Sequence, residues 1–270
     1  MTAGSGTAGV ETIRVGVDGS GPSRAAVTWA AKRAASDDRR LVLVHVLDGE
    51  WGQLGRGFAE DESDAAAEVL SGAVELARRF APEGSTSTSV LEGSIAWVLA
   101  ASAESGDLLV VGTHKTGYLT GRALATRSIV VASMAESSVA VIPDTSVSGR
   151  RGVVVGVVGG TAWQAAVTWG ANEATRLGNE LSLVHATAGD DGHAILADAA
   201  ALAASIHPAL VIRRRISRRR ASEALLDASR SAGLLVLGRT RVDTARAGFL
   251  GSTTHEVLLN INAPVVVARQ

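Results

Sequence analysis

The stretch VGVDGSGPSRAAVTWAA, Val15 to Ala31, returns 140 residues later as VGVVGGTAWQAAVTWGA, Val155 to Ala171. The match is ungapped and continues through LVLVHV from Leu41 and LSLVHA from Leu181, so that Gly16 pairs with Gly156, Trp29 with Trp169 and His45 with His185. A second block pairs Gly112 with Gly238, Thr126 with Ser252 and Val141 with Val267 at a separation of 126, which leaves the second copy 14 residues shorter in its middle. That shortfall falls after the second strand, where the first copy carries the Gly-rich WGQLGRGF from Trp51, and loops absorb such changes cheaply. The 270 residues therefore read as a disordered tail (1–12) followed by two similar domains, 13–147 and 148–270.

Within the first copy, Ile13–Val17, Leu41–Val46, Thr86–Leu91, Leu108–Val111 and Val139–Ile142 have the length and composition of strands. Helical spacing joins Ala26, Val27, Ala30, Ala31 and Ala34 behind Pro22. It also joins Val69, Ala73, Leu76, Ala77 and Phe80 ahead of Pro82 and Gly84, and a third helix holds Ile95, Val98 and Leu99. The second copy repeats the strands at Val153–Val157, Leu181–Val184, Leu210–Ile216, Leu234–Leu237 and Val265–Ala268. Apolar strands alternating with helices require right-handed crossovers, so each domain is predicted to be α/β: a doubly wound, Rossmann-like, five-stranded parallel sheet.

Composition excludes several classes of function. Net charge is −1 and the pI about 6.6, so no global field draws the chain to nucleic acid or an anionic membrane. Cysteine is absent, which removes disulfides, thiol catalysis and cysteine zinc sites and fits a reducing compartment, here expected to be cytoplasmic. The first residues lack an apolar signal segment, and no apolar run reaches the ~20 residues that cross a bilayer. GSGTAG (Gly4–Gly9) fits Gly-x-Gly-x-x-Gly but precedes the first strand instead of following it, so it cannot position a dinucleotide. The sequence holds no Walker A segment, no Gly-x-Ser-x-Gly turn and no His-Glu-x-x-His, and no catalytic residue or metal ligand set is assigned.

In an open parallel sheet, ligands bind beyond the carboxyl ends of the strands, where helix N-termini present their amides. Strand one of the first copy runs into Asp18, Gly19 and Ser20, strand two ends at Val46, and strand four runs into Gly112, Thr113, His114 and Lys115. After a loop, Ala125, Thr126, Arg127 and Ser128 precede a helix predicted over Ile129–Ala135. A carboxylate at one edge and hydroxyls at a helix start suit a base or ribose on one side and phosphate on the other.

VGVDGS, LVLVHV, LLVVGTHKTGYLTGRALATRS and VAVIP together resemble the successive blocks of the universal stress protein family, over nearly all of both copies. The resemblance implies an ATP-type ligand held by an Asp after strand one and by a Gly-x-x-Gly-(nine residues)-Gly-(Ser/Thr) motif. It also implies pairing of domains through their last strands. The first copy keeps Asp18, Gly112 and the hydroxyl of Thr126, with Lys115 and Ala125 at the other two glycines. The second keeps Gly238, Gly251, Ser252 and the following Thr253, with Arg241 at the middle glycine and Val158 in place of Asp18. Side chains at glycine positions restrict the approach of backbone to phosphate, while Lys115 and Arg241 offer positive charge in exchange.

Plainer readings stand beside these. Asp18 can simply hold the turn at Gly19. His45 and His185 lack neighbouring ligands and read as packing or hydrogen-bonding groups, which leaves His114 as the histidine expected near ligand. Trp29 and Trp169 read as helix–sheet packing. RRRISRRR, Arg213 to Arg220, reads first as a solvated, protected strand edge. Its alternative reading places Arg218, Arg219 and Arg220, which align with Glu92, Gly93 and Ser94, near the second site as anion binders.

The expected function is a stress-response regulator that binds adenine nucleotide in at least one copy. A different class, an interaction scaffold with two degenerate sites, competes with it, and slow nucleotide hydrolysis lacks an assignable base or metal. The apolar last strands are expected to join the copies as an internal pseudo-dimer, and association of two chains is left open.

Overall fold

A computed structural model describes residues 12–48, 56–81, 84–114, 122–145, 149–160, 162–187, 189, 192–239 and 250–269, with side chains except over 56–62 and 122–126. Thr12, expected as the last residue of a disordered tail (1–12), is instead buried in the first strand; the rest of that tail and the Gly-rich residues 51–55 lie outside the described residues.

The first copy contributes β1 (Thr12–Gly16), α1 (Gly21–Asp37), β2 (Arg40–Leu47), α2 (Arg56–Arg78), β3 (Thr86–Glu92), α3 (Ile95–Ser102), β4 (Leu108–Thr113), α4 (Arg122–Met134) and β5 (Ser138–Pro143). The second contributes β6 (Val153–Val157), α5 (Ala162–Arg176), β7 (Leu181–Ala186), α6 (Gly192–Ile206), β8 (Ile212–Ser217), α7 (Ala221–Ser229), β9 (Leu234–Gly238), α8 (Ser252–Leu259) and β10 (Val265–Ala268). All ten strands read from the sequence are present, Val153–Val157 and Val265–Ala268 with the bounds expected and the others with ends shifted by at most two residues. Two helices differ more. α4 begins at Arg122 and takes in Ala125 to Ser128, which were expected to precede it, because Arg-Ala-Leu-Ala is a run of strong helix formers without a stop. α2 begins at Arg56 because Ala59 to Glu68 is rich in Ala and Glu. The length difference between the copies therefore falls partly in a helix, 23 residues in α2 against 15 in α6.

The strands form one sheet in the order β3-β2-β1-β4-β5-β10-β9-β6-β7-β8, parallel throughout except where β5 meets β10. Alternation along each strand divides the core. Ile13, Val15, Leu108 and Val110 face α1 and α2, while Leu109 and Val111 face α3 and α4, and the second copy repeats the division. Helices therefore cover both faces, as the pattern required.

At the centre, Val265, Val266 and Val267 pair antiparallel with Val141, Ala140 and Val139, all at most 2% exposed. On the α1–α5 side of this seam Arg33, 8% exposed, pairs with Glu173, 2% exposed, and stacks on Trp169 (4.7 Å) and Trp29 (5.9 Å). Arg176 binds the other oxygen of Glu173 at 2.5 Å and reaches Ser36 at 2.5 Å. Arg33 and Glu173 occupy the same repeat position, 140 residues apart, so the pseudo-twofold axis passes between a cation and an anion. On the other face Arg239 and Arg269 donate to the carbonyl of Ala135 (2.7 and 2.5 Å), and Arg239 also to that of Ser133, at the end of α4. Burial, then the charge of Arg269, lowers the Arg239 pKa.

Burial alone would raise the Glu173 carboxyl, but the Arg176 hydrogen bond, the Arg33 and Arg176 charges and the Arg33 hydrogen bond outweigh it and hold the group below the ordinary glutamate value. A carboxyl depressed in the folded state stabilises the fold above its unfolded pKa, and this contribution is lost as pH falls through the folded value. Glu173→Leu leaves Arg33 buried with only Asp37, at 3.8 Å, and is expected to cost on the order of 3 kcal/mol in urea unfolding. Arg33→Leu/Glu173→Leu is expected to recover most of that loss and to lose less stability than wild type below about pH 4. A Glu173→Leu cost under about 0.5 kcal/mol would show that the pair does not hold the seam.

Candidate functional site

The carboxyl ends of β1, β2 and β4 open onto one cleft lined by Asp18, Ser20, His45, Val46, Gly112, Thr113, His114, Arg127 and Ser128, over an apolar floor of Val44, Ile95, Leu99, Val111 and Val131. Asp18, at one edge, is exposed and its Oδ1 accepts from the Ser20 amide at 3.0 Å, while its own amide donates to Ser23 Oγ at 3.2 Å. Ser20 in turn caps α1, accepting from the Ser23 amide at 3.3 Å. Asp18 thus fills the plain turn role and also borders the cleft. Gly19 turns the chain beside it at φ +77° without lining the cavity, and Gly allows that φ at no steric cost.

Gly112 serves packing. A Cβ there would collide with the backbone carbon and oxygen of Pro22, so the glycine lets the first turn of α1 rest directly on β4. Gly238 repeats this against the carbonyl of Ala162. The first motif glycine of each copy is therefore required by helix–strand contact irrespective of phosphate.

Across the cleft Ser128, 5% exposed, donates to Thr113 Oγ1 at 3.4 Å, and Arg127 is exposed at the rim. Because α4 starts a turn early, the amides of Thr126 to Ser128 fall beyond or at the edge of its unbonded first turn. The Thr126 side chain and Lys115 lie outside the described residues.

The second cleft is lined by Val157, Val158, Val184, His185, Ala186, Leu225, Leu237, Gly238, Gly251, Ser252, Thr253 and Thr254. Here Gly251 takes the N-cap position of α8 with φ −57° and ψ 150° and has no side chain to cap the helix, and its first turn, Ser252 to Thr254, lines the cavity. Val158 leaves this cleft without the carboxylate that Asp18 gives the first. Arg241 lies outside the described residues. Each cleft thus keeps one half of the expected arrangement: the acidic edge in the first, the open helix start in the second.

His45 and His185, expected only to pack or hydrogen-bond, do the latter: each Nδ1 donates to the carbonyl of Val17 or Val157 at 2.8 Å, which fixes a proton on Nδ1. They also line the two clefts, so His114 is not alone among histidines there. Their position at the end of the second strand, level with Val17 and Val157, was the available signal. Trp29 and Trp169 pack at the seam, and no Phe, Tyr or Trp lines either cleft among the described residues. Arg218, Arg219 and Arg220 do not line the second cleft; β8 carries Arg214 and Arg218 to the opposite face of the sheet, against α6. No group of three or more His, Cys, Asp or Glu able to hold a metal occurs among the described residues.

The model of the universal stress protein family matches residues 9–143, half of the chain. The chain belongs to the universal stress protein family. A universal stress protein of Mycolicibacterium smegmatis is 28% identical over 95% of this chain and 96% of its own, and universal stress protein Rv2005c of Mycobacterium tuberculosis is 27% identical over 96% and 97%. The crystal structure of a universal stress protein from Archaeoglobus fulgidus superposes with a TM-score of 0.76 at 16% identity, covering 96% of this chain and 98% of that one. The cytoplasmic domain of a prokaryotic cation chloride cotransporter shares the fold as well, with a TM-score of 0.56 at 10% identity over 96% and 95%. The likeness to these relatives runs over nearly the whole of this universal stress protein's sequence. None of its described helices is long and apolar enough to cross a membrane.

Gly112→Ala is expected to lower stability by roughly 1–3 kcal/mol through the Pro22 collision. Gly72→Ala, on α2 with open space around it, is expected to raise stability by about 0.5–1 kcal/mol. Thermal unfolding of the two variants checks the contrast, and equal effects would refute the packing role.

Proposed function

We propose that this universal stress protein is a stress-response regulator that binds adenine nucleotide, ATP foremost, in the first cleft, and that it acts without dedicated catalysis. The observation that carries the reading is the convergence of Asp18, His45, Gly112, Arg127 and Ser128 on one cavity from three strand ends and a helix. An apolar floor of Val46, Ile95, Leu99 and Val111 suits a purine face, a carboxylate at the edge suits ribose hydroxyls, and Arg127 with the turn after Gly112 suits phosphates. The cavity measures about 140 Å³, below the roughly 300–1,000 Å³ of whole-ligand pockets, so the phosphates extend over the rim toward Arg127. A cytoplasmic setting is part of this proposal, and the cysteine-free composition is compatible with a reducing compartment.

A second reading, an interaction scaffold without nucleotide, is favoured by the division of the motif between the clefts: Val158 in one, and in the other a helix start displaced by one turn. Titration calorimetry separates the two. ATP is expected to bind the full chain, and Asp18→Ala to weaken it about tenfold, while Ser252→Ala in the second cleft leaves it unchanged. Absence of heat up to millimolar ATP would leave the scaffold reading standing.

A further inference from the structure

β3 and β8 are the outer strands of the sheet and occupy equivalent repeat positions: Thr88, Val90 and Glu92 correspond to Arg214, Ile216 and Arg218 at the separation of 126. Each triplet lines a groove beneath the neighbouring helix, α2 or α6, so the same groove is built twice. Its charge is inverted. Beside β3 the groove carries Asp48, Glu75 and Glu92 with Arg78 as its one cation, in a cavity of about 940 Å³. Beside β8 it carries Arg214, Arg218 and His193 and no carboxylate among the described residues, in about 310 Å³.

The inversion extends to whole copies. Residues 13–147 hold 17 Asp and Glu against 12 Lys and Arg, and residues 148–270 hold 9 against 14, so a chain of net charge −1 is strongly dipolar along its sheet. Protection of an exposed edge does not account for this, since β3 is equally exposed at the other end and carries no cation. Nor are the arginines all consumed internally. Arg213, Arg215 and Arg219 pair with Glu180, Asp227 and Glu223, whereas Arg214 and Arg218 make no ion pair among the described residues.

We propose that the arginine edge of β8 docks against the acidic β3–α2 groove of a second copy of this chain, head to tail. Strand direction permits it: β5 and β10 are antiparallel, so β8 runs opposite to β3, and a copy displaced along the sheet brings the two edges together with the sense of the central seam. Like edges repel, with arginines opposing arginines across β8 and carboxylates opposing carboxylates across β3. The contact is therefore heterologous and propagates instead of closing. Val90, 48% exposed in the acidic groove, and Val211, 60% exposed beside β8, are two of the five exposed large apolar side chains among the described residues and add apolar area at both ends. Exposed ion pairs are individually weak and screened within roughly 10 Å at 0.1 M salt, so the association is concentration-dependent and salt-sensitive.

Sedimentation velocity of the full chain is expected to show a weight-average mass that rises with concentration at about 0.02 M salt and returns to monomer at about 0.5 M. Arg214→Glu/Arg218→Glu and Glu75→Arg/Glu92→Arg, all at exposed positions, should each weaken self-association about tenfold or more without changing Tm. Mixing the two variants restores one native contact and creates one charge-reversed contact, and should bring back salt-sensitive association that neither variant shows alone. Monomer at every concentration in low salt overturns the proposal, as does association that survives both double substitutions. A chain that stays monomeric yet binds single-stranded nucleic acid or anionic vesicles through Arg214 and Arg218 overturns it too, and gives the edge to a polyanion.

Discussion

The structure depends on the antiparallel contact of β5 with β10. Each half-sheet would otherwise end in Val139–Val141 or Val265–Val267, an apolar edge with unpaired backbone groups, and a five-stranded unit cannot cover that edge from its own helices. Pairing the edges turns two incomplete sheets into one of ten strands. It also determines which side chains meet near the pseudo-twofold axis, and there the chain departs from symmetry. A true twofold would set Arg33 against Arg33 or Glu173 against Glu173 in a nearly dry setting, an arrangement that ionised groups do not tolerate. Placing Arg at the position in one copy and Glu in the other makes the first copy the fitting partner of the second. Trp29 and Trp169, kept in both copies, flank the guanidinium and limit the water that would weaken the pair.

The same topology sets where ligands can be held. Strands β1, β2 and β4 all end at one side of the sheet, and helices leave for opposite faces on either side of β1, which opens a crevice there. In both copies a histidine ties the end of the second strand to the end of the first, through Val17 or Val157. The crevice is therefore built by backbone geometry and by two glycine contacts, with or without a ligand. What differs is its furniture: the acidic edge in the first copy, the open start of α8 in the second. A single residue explains much of the latter difference. Gly251 stops the helix with an extended backbone, whereas Ala125, a strong helix former at the same repeat position, lets α4 continue back to Arg122.

The fold was legible because the repeat is ungapped where it matters and because strand and helix periods are clean; all ten strands and the central pairing follow from apolar runs such as Leu41–Val46. The site was legible only in part. Asp18, Val46 and His114, at or just past strand ends, and Arg127 and Ser128, on α4, line one cleft. His45 was missed as a lining residue because an isolated histidine carries no spacing signal, and only its level on the strand reveals which end it faces. Gly112 was read as a phosphate glycine, but its closest constraint is the backbone of Pro22, a contact 90 residues away in sequence that no local pattern encodes. The start of α4 was misplaced because the motif suggested a helix beginning at its hydroxyl, while propensity extended the helix upstream.

Duplication accounts for the most asymmetric features together. In a symmetric pair of identical chains, a substitution appears on both sides of the axis, so a charge that suits one partner confronts itself in the other. Once the copies are joined, Asp18 and Val158, Glu92 and Arg218, and Arg33 and Glu173 can diverge separately, each at one local environment's cost. Only the last pair meets at the seam, so only there does divergence itself create the attraction. At the outer edges the inverted charges lie at opposite ends of one sheet, too far apart to reach each other within a molecule. Opposite charges separated in this way interact across molecules or not at all, which is why the dipolar arrangement of the chain matters for what it meets more than for how it folds.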